Sequence, residues 1–257
     1  MRVCLIASGS KGNAIYLESR DSRILIDAGL SARELTRRLA LVGVDSASLN
    51  AIFVSHEHGD HVRGVGPLSR RYGVPVHVNP ETHEAISALG AIPILEEFDA
   101  GTAFCCRDLR VETFPLTHDA VQPVGFVVET RDGKVGIATD LGIGTRLVRE
   151  RLRGCRVLIL EANHDEALLR DGPYPWHLKQ RIRGNHGHLS NSACGELLKD
   201  LLWEGLEMVF LAHLSETNNR AELAVHEIRQ VLDGQNLCGP QLIVGRQDAA
   251  SVCLDFS

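Results

Sequence analysis

The stretch AIFVSHEHGDH, residues 51–61, constrains this chain more than any other. An apolar run of strand character stops, and four ligand-type side chains, His56, His58, Asp60 and His61, follow within six residues. A buried strand ending here delivers them together in one tight loop, and alternation puts the rings of His56 and His58 on one side. Neutral imidazoles and a carboxylate suit a borderline divalent ion such as zinc, manganese or iron. Four such groups exceed what one tetrahedral ion takes from a single loop, so the spacing predicts two adjacent ions. Further ligands are then expected at other strand ends. His118 closes VETFPLTH, Asp140 closes KVGIATD and His213 closes MVFLAH, each after an apolar run.

Similar β-rich runs, among them RVCLIAS, NAIYLES, RILIDAG, GFVVET and RVLILEAN, recur along the 257 residues, with helical periodicity between several of them. Ser31 and Glu34 read as a capping box opening one helix, a second is expected after Ser190 through Leu202, and a third from Arg220 to Leu232. This order predicts two face-to-face sheets with helices outside, an α/β layered sandwich, formed by one domain over residues 1–257. No apolar stretch approaches the length of a membrane span, so a cytoplasmic protein without membrane contact is expected. The seven cysteines are scattered with no C-x-x-C pair, which predicts buried small apolar residues in a reducing compartment rather than disulfides or a zinc clip. Net charge is -6, yet residues 146–183 carry nine Lys or Arg against five Asp or Glu. A solvated helix face accounts for such a run, and a basic rim for an anionic substrate is the alternative.

The set HxHxDH, lone His118, Asp140 and final His213 resembles the metallo-β-lactamase fold superfamily. That resemblance implies an αββα four-layer sandwich with a dinuclear site along one edge of the sheets. By it, His56, His58 and His118 would hold one ion, Asp60, His61 and His213 the other, with Asp140 bridging. Asp27, in LIDAG, would support the HxHxDH loop from behind the ligands. β-Lactamases of this superfamily commonly carry Cys where Asp140 stands, which argues against that branch. Two ions about 3.5–4 Å apart can share a hydroxide and clamp a substrate oxygen, which suits hydrolysis of esters or phosphodiesters.

The stretch RGNHGHLSN, residues 183–191, bears on the substrate. Phosphodiester cleavage expels an alkoxide, and an imidazolium oriented by a carboxylate can protonate it. Glu161, ending VLILE, and His188, just before a helix, are candidates for that pair, and with Asp60 they are the expected catalytic residues. This is similar to the ribonuclease Z group, although Asn163 and Leu189 depart from its Glu-Ala-Thr and Gly-His-Ser-Thr motifs and no insertion for its long arm is evident. SGSKGNA, LIDAGLS, EANHD, GPYPWHLKQRI, GHLSN and LAHLSETNN resemble the YycJ/WalJ branch more closely. That resemblance implies 5′ to 3′ exonuclease activity on double-stranded DNA and a part in DNA repair, with DNA favoured over RNA as partner. A carboxylic ester, thioester or lactone hydrolase of the same fold is the alternative, and a non-catalytic regulator a third reading.

Several residues are expected to meet substrate: Ser8, Lys11 and Asn13 in a phosphate-cradling turn, His164 beside Glu161, Lys179 with Arg181 and Arg183 on phosphates, and Asn218 and Asn219 along the cleft. Tyr174 or Trp176 offers a stacking face, but the flanking Pro173 and Pro175 favour Trp176 as a packed residue. His186 is expected to be an ordinary polar neighbour, and the oligomeric state is open.

Overall fold

A computed structural model of the chain describes residues 1–87 and 89–256. Strands β1 (Arg2–Ala7), β2 (Ala14–Glu18), β3 (Arg23–Ile26), β4 (Ala51–Phe53), β5 (Val76–Val78) and β6 (Leu95–Glu97) make the first sheet in consecutive order. Strands β7 (Ala103–Cys106), β8 (Leu109–Pro115), β9 (Val124–Thr130), β10 (Gly133–Ala138), β11 (Val157–Glu161), β12 (Met208–Ala212) and β13 (Gln241–Val244) make the second, also consecutively. The last strand, β14 (Leu254–Asp255), returns to the edge of the first sheet beside β1. Each sheet is mixed. Strands β3 to β6 run parallel in one and β10 to β13 in the other, so their carboxyl ends open on common edges. Such edges are where open α/β sheets place their ligands.

Alternation along the strands explains the layering. On β1, Val3 and Leu5 join the core between the sheets, while Cys4 and Ile6 join a separate cluster on the outer face. On β11, Val157 and Ile159 face inward and Leu158 and Leu160 outward. A strand buried on both faces must be apolar at nearly every position, which is why these runs read as continuous rather than alternating. The inner core centres on Phe53, Phe126 and Phe210, all fully buried; truncating any of them to Ala would cost roughly 3–5 kcal/mol. Helices α1 (Ala32–Leu41) and α3 (Val65–Tyr72) cover the first sheet through Leu35, Leu39 and Leu68. The short α2 (Gly59–Val62) and α4 (Pro80–Ala85) sit in its connections. On the second sheet, α5 (Arg146–Leu152), α8 (Asn191–Lys199) and α9 (Ala221–Asp233) contribute Val148, Leu197 and Ile228 to the outer cluster. The connection from β11 to β12 also holds α6 (Glu166–Asp171) and α7 (Trp176–Arg183). The result is the expected αββα sandwich.

Ser31 caps α1 by accepting from the Glu34 backbone N–H at 3.3 Å, but the Glu34 carboxylate turns away to Arg37 and Arg38 instead of closing the box. Arg38 also donates to the carbonyls of Ile6 and Gln247, tying α1 to β1 and to the chain beyond β13. The helix after Ser190 ends at Lys199, short of Leu201 and Leu202. The cysteine expectation is corrected. Cys4 and Cys253 form a disulfide across 249 residues, with Cα atoms 4.5 Å apart. Local spacing cannot reveal it, because it follows from β14 pairing with β1. Cys155 and Cys194 are buried as expected, whereas Cys105 is exposed and Cys106 and Cys238 are half-buried. Among the described residues no helix is long and apolar enough to cross a membrane.

Candidate metal centre

The HxHxDH loop begins where β4 stops. Val54 still donates to the His77 carbonyl, and then the chain leaves the sheet, with His58 as the residue before α2. Backbone bonds fix the loop against its neighbours: Ala28 N–H donates to the His61 carbonyl and Asn13 N–H to the Asp60 carbonyl, at 2.8 and 2.7 Å. The packing leaves no room at Gly29, where a Cβ would fall 1.6 Å from the Asp60 carbonyl oxygen. Asp27, directly after β3, accepts from the Ser55 backbone and hydroxyl at 2.8 and 2.7 Å and lies 2.7 Å from His61 Nδ1. Its placement is therefore behind the loop. That interaction turns His61 Nε2 toward the cleft.

Two sets of ligand-type atoms converge at the sheet edge. His58 Nδ1 lies 3.1 Å from His56 Nε2 and 3.3 Å from His118 Nε2. Beside them stand Asp60, His61 and His213, whose ligand-type atoms lie within 4.8 Å of one another. Asp140, two residues past β10, stands between the sets: its carboxylate is 3.2 Å from His61 Nε2, 3.1 Å from His213 Nδ1 and 3.8 Å from His118 Nε2. Asp140 Oδ2 and His213 Nε2 are buried and have no hydrogen-bond partner. Leaving such atoms unpaired costs about 1–3 kcal/mol each, more for a charged group. Convergent imidazole nitrogens beside an unpartnered carboxylate oxygen fit divalent cations, and the N and O donor set suits zinc, manganese or iron.

The electrostatics divide the rings: against the opposing effect of burial, Asp140 and neighbouring carboxylates raise His61 and His213 well above the ordinary imidazole value, while His56 and His118 of the first set are left neutral. Burial, reinforced by the charge on His61, holds the His56 ring well below its ordinary pKa, and burial lowers His118 too, so both keep a free lone pair. Burial alone would favour protonating Asp140, yet His213 and His61 beside it hold its carboxyl well below the usual carboxylate range.

Glu161 ends β11 fully buried. One oxygen faces Nδ1 of both His188 and His213 at 2.8 Å, and the other accepts from the backbone of Leu141 and Leu189 at 3.1 Å. Burial pushes its carboxyl up, but the His188 charge and these ring contacts outweigh it and bring the pKa down to about 2. His188 moves the other way: burial opposes its charge, and Glu161 raises its pKa. The arrangement leaves His188 Nε2 toward a cavity of about 320 Å³ that the candidate ligands, Ser10 and Arg181 also line.

The remaining expected contacts divide. Asn13 reaches the cluster, 3.2 Å from Asp60 and 3.0 Å from His61 Nε2. Ser8 is buried and accepts from the His213 backbone N–H at 2.7 Å, so it braces the loop after β12 rather than opening to solvent. Lys11 points outward to Glu216 at 2.5 Å. Lys179 is half-buried and donates to the Arg170 carbonyl, and both it and His164 line a second cavity next to His188. Asn218 is fully buried against Gly172 and outside the cleft lining, while Asn219 is engaged with Asn191 and the Ala162 carbonyl. Trp176 is corrected: it is 68 % exposed, because it opens a helix that buries none of its residues. Sequence reasoning missed Ser55, which links Asp27 to His56, and Asn163, whose amide donates to the His213 carbonyl at 2.9 Å. It also missed Asp119, which pairs with Arg181 at the cleft. Position beside a ligand was the one available signal for Ser55 and Asp119.

A family model described as the Beta-lactamase superfamily domain matches residues 22–213. Exodeoxyribonuclease YycJ of Bacillus anthracis is 34% identical over 232 residues, covering 89% of this chain and 88% of that protein. Exodeoxyribonuclease WalJ of Streptococcus pneumoniae is 37% identical over 225 residues, covering 86% and 84%. Among solved structures, the metallo-β-lactamase fold protein YhfI of Bacillus subtilis superposes with a TM-score of 0.73 at 16% identity, over 97% and 98% of the two chains. Human tRNase Z, short form, superposes at 0.69 and 16% over the full length of both. Those likenesses show the shared fold. The chain belongs to the β-lactamase superfamily and, within it, to the YycJ/WalJ family of metal-dependent hydrolases.

Proposed function

We propose that this chain, read as one domain over residues 1–257, is a dinuclear phosphodiesterase that degrades DNA as a 5′ to 3′ exonuclease, in the cytoplasm and in the service of DNA repair. The observation that carries the reading is the His188–Glu161 pair, 2.8 Å apart and flanking Asp140. A thioester expels a thiolate that leaves without such a pair, whereas a phosphodiester expels an alkoxide that must be protonated; a carboxylic ester expels one too, and there the relatives' names favour the phosphodiester. The names of the relatives, exodeoxyribonucleases over most of the chain, support DNA.

In this reading His56, His58 and His118 would hold one ion and Asp60, His61 and His213 the other, with Asp140 standing between the two sets. Divalent ions bound there, zinc, manganese or iron, would activate the attacking water and offset charge developing on the phosphate. The protein does the rest. Glu161 keeps His188 charged and aims its Nε2 at the leaving oxygen, a contribution of about 10²–10⁴ in rate. Asp60, held by Asn13, faces the same cavity and orients the attacking oxygen. Asp27 fixes His61, and Arg181 meets the phosphate backbone at the cavity mouth.

The experiment is metal analysis followed by product mapping on end-labelled DNA and RNA, with bis-p-nitrophenyl phosphate and a thioester in parallel. His188→Ala is expected to retain its metal and lose at least about a hundredfold in DNA turnover. Unchanged DNA hydrolysis in that variant, or thioester cleavage by a wild type inactive on DNA, overturns the reading.

A further inference from the structure

The cavity on the far side of His188, about 310 Å³, is not used by the chemistry above. It shares His188 with the metal cleft, and its wall includes His164, Trp176, Lys179 and Arg183. Helix α7 presents Trp176, Lys179 and Arg183 at i, i+3 and i+7, so they lie along one side of it. None of the helix's residues is buried, and its first residue is a large aromatic left 68 % exposed. Across the cavity His164 is only 2 % exposed, and its Nδ1 is a buried nitrogen with no hydrogen-bond partner. Burial holds that ring neutral, with its pKa lowered to about 4. An exposed indole face, an unpaired neutral imidazole and three cations, Arg170 included, against the one carboxylate of Glu166, which accepts from Ser190 and Ser192, describe a site for an aromatic anion. The volume lies at the small end of ligand pockets, enough for one nucleotide.

We propose that this cavity receives the terminal nucleotide of the strand being cut, its base on Trp176 with a polar edge toward His164 and its 5′-phosphate at Lys179 and Arg183. The inference rests on the phosphodiesterase reading and deepens it. His188 stands between the cleft and the cavity, so the group that takes its proton lies on the cavity side. In the step, the O–P bond from water forms, the P–O3′ bond breaks, and the His188 Nε2 proton goes to O3′. The proton given up by the attacking water restores His188. The released unit carries a 3′-hydroxyl and the shortened strand a new 5′-phosphate. A cavity holding a single unit on the leaving-group side requires that unit to be the 5′ end. Polarity and one-at-a-time release then share one structural cause.

Two measurements on the metal-loaded enzyme test this. The first compares kcat/KM on DNA whose 5′-terminal nucleotide bears a base with DNA whose terminal nucleotide is abasic. Base stacking on an aromatic side chain is worth a factor of roughly 5–150, so wild type is expected to discriminate by about that much and Trp176→Ala to lose the discrimination. The second uses Trp203→Phe protein, in which Trp176 is the remaining tryptophan. Deoxyadenosine monophosphate is expected to quench its fluorescence saturably and inorganic phosphate not to, with the midpoint raised about tenfold by His164→Asn. If wild type hydrolyses DNA but Trp176→Ala discriminates as wild type does, or the nucleotide causes no saturable quench, the pocket assignment fails and the nuclease reading stands. If wild type hydrolyses no DNA, the reading beneath it fails and takes the pocket's role with it.

Discussion

Glu161→Gln removes one charge from the most heavily used acceptor in the site, and the geometry sets the size of the effect. The carboxylate serves four donors, two rings at 2.8 Å through one oxygen and two backbone N–H groups at 3.1 Å through the other. An amide keeps one oxygen and gains two N–H bonds. Whichever way it is turned, two buried donors face an NH₂ group and lose their acceptor. At about 1–3 kcal/mol for each unsatisfied donor, the variant is expected to lose roughly 2–6 kcal/mol of stability. Taking the lower figure, Tm falls by at least about 4 °C in a chain of this size. Function should suffer twice. His188 loses the partner that holds its proton, and His213 loses the group that aims its Nε2, which typically weakens metal binding 10–100-fold. His188→Ala separates the two, since it removes the acid without disturbing His213. Calorimetry of metal-free protein, metal content after dialysis and DNA hydrolysis at saturating metal read the three consequences independently. A Glu161→Gln protein with Tm within about a degree of wild type, full metal content and turnover within a few-fold would refute the acceptor argument.

Asp27→Asn should keep the loop's fold, because Asn tolerates the same backbone conformation, but metal affinity measured by chelator competition should fall about 10–100-fold as His61 loses its orienting carboxylate. Replacing Asp140, which has φ +62°, by Ala should leave metal-free protein about 1 kcal/mol less stable than replacing it by Gly; denaturant unfolding that ranks Ala above Gly contradicts the strain. Hydrogen bonds from Arg37 and Arg38 bring the Glu34 carboxyl down to about 2, so its contribution is complete above the unfolded carboxylate range and disappears as pH falls from about 5 toward 2. Glu34→Gln should therefore cost roughly 0.5–1 kcal/mol near neutrality and nothing near pH 2, and a gap that persists in acid rules out the ion pairs as its source.

What the sequence revealed, and what it hid, follows from how far each signal reaches along the chain. His56, His118, Asp140, Glu161 and His213 each sit at or just beyond the end of an apolar strand, so the pattern that marks the strand also marks the residue. The layering was legible for the same reason, since runs such as VLILE can be apolar throughout only if both faces are covered. Contacts between distant segments left no such trace. Ser8 and Asn13 lie in one glycine-rich turn with Lys11, yet the fold sends the first two inward to His213 and Asp60 and the third outward to Glu216. Nothing in SGSKGN distinguishes them. Pro175 suggested that Trp176 is packed. Instead the proline precedes the first turn of a helix that buries none of its residues, and the indole stays exposed. The bond between Cys4 and Cys253 depends on the chain's last strand returning to its first, a pairing fixed by the whole topology.

The backbone itself carries a further mark of the site. Among the described residues, four other than glycine have positive φ, and three of them are Asp27, Asp140 and His213, at 61°, 62° and 56°. Each lies one or two residues past the end of a strand, β3, β10 or β12. In a strand the side chains point to the two faces of the sheet, where here they would enter apolar layers. A left-handed residue at the strand's end breaks that alternation and turns the side chain out over the edge, where the ligand-type atoms gather. Such conformations cost about 1–3 kcal/mol each and persist only where the surroundings hold them. At His213 the holders are identifiable. Ser8 takes its N–H at 2.7 Å and Asn163 donates to its carbonyl at 2.9 Å, one from the loop after β1 and one from the loop after β11. At Asp27 the holders are the Phe53 carbonyl, which takes its N–H at 2.8 Å, and Ser55, bound to its carboxylate. Ser8 and Asn163 thus belong to the candidate site through the backbone: they fix the peptide that aims His213, as Ser55 fixes the side chain that aims His61.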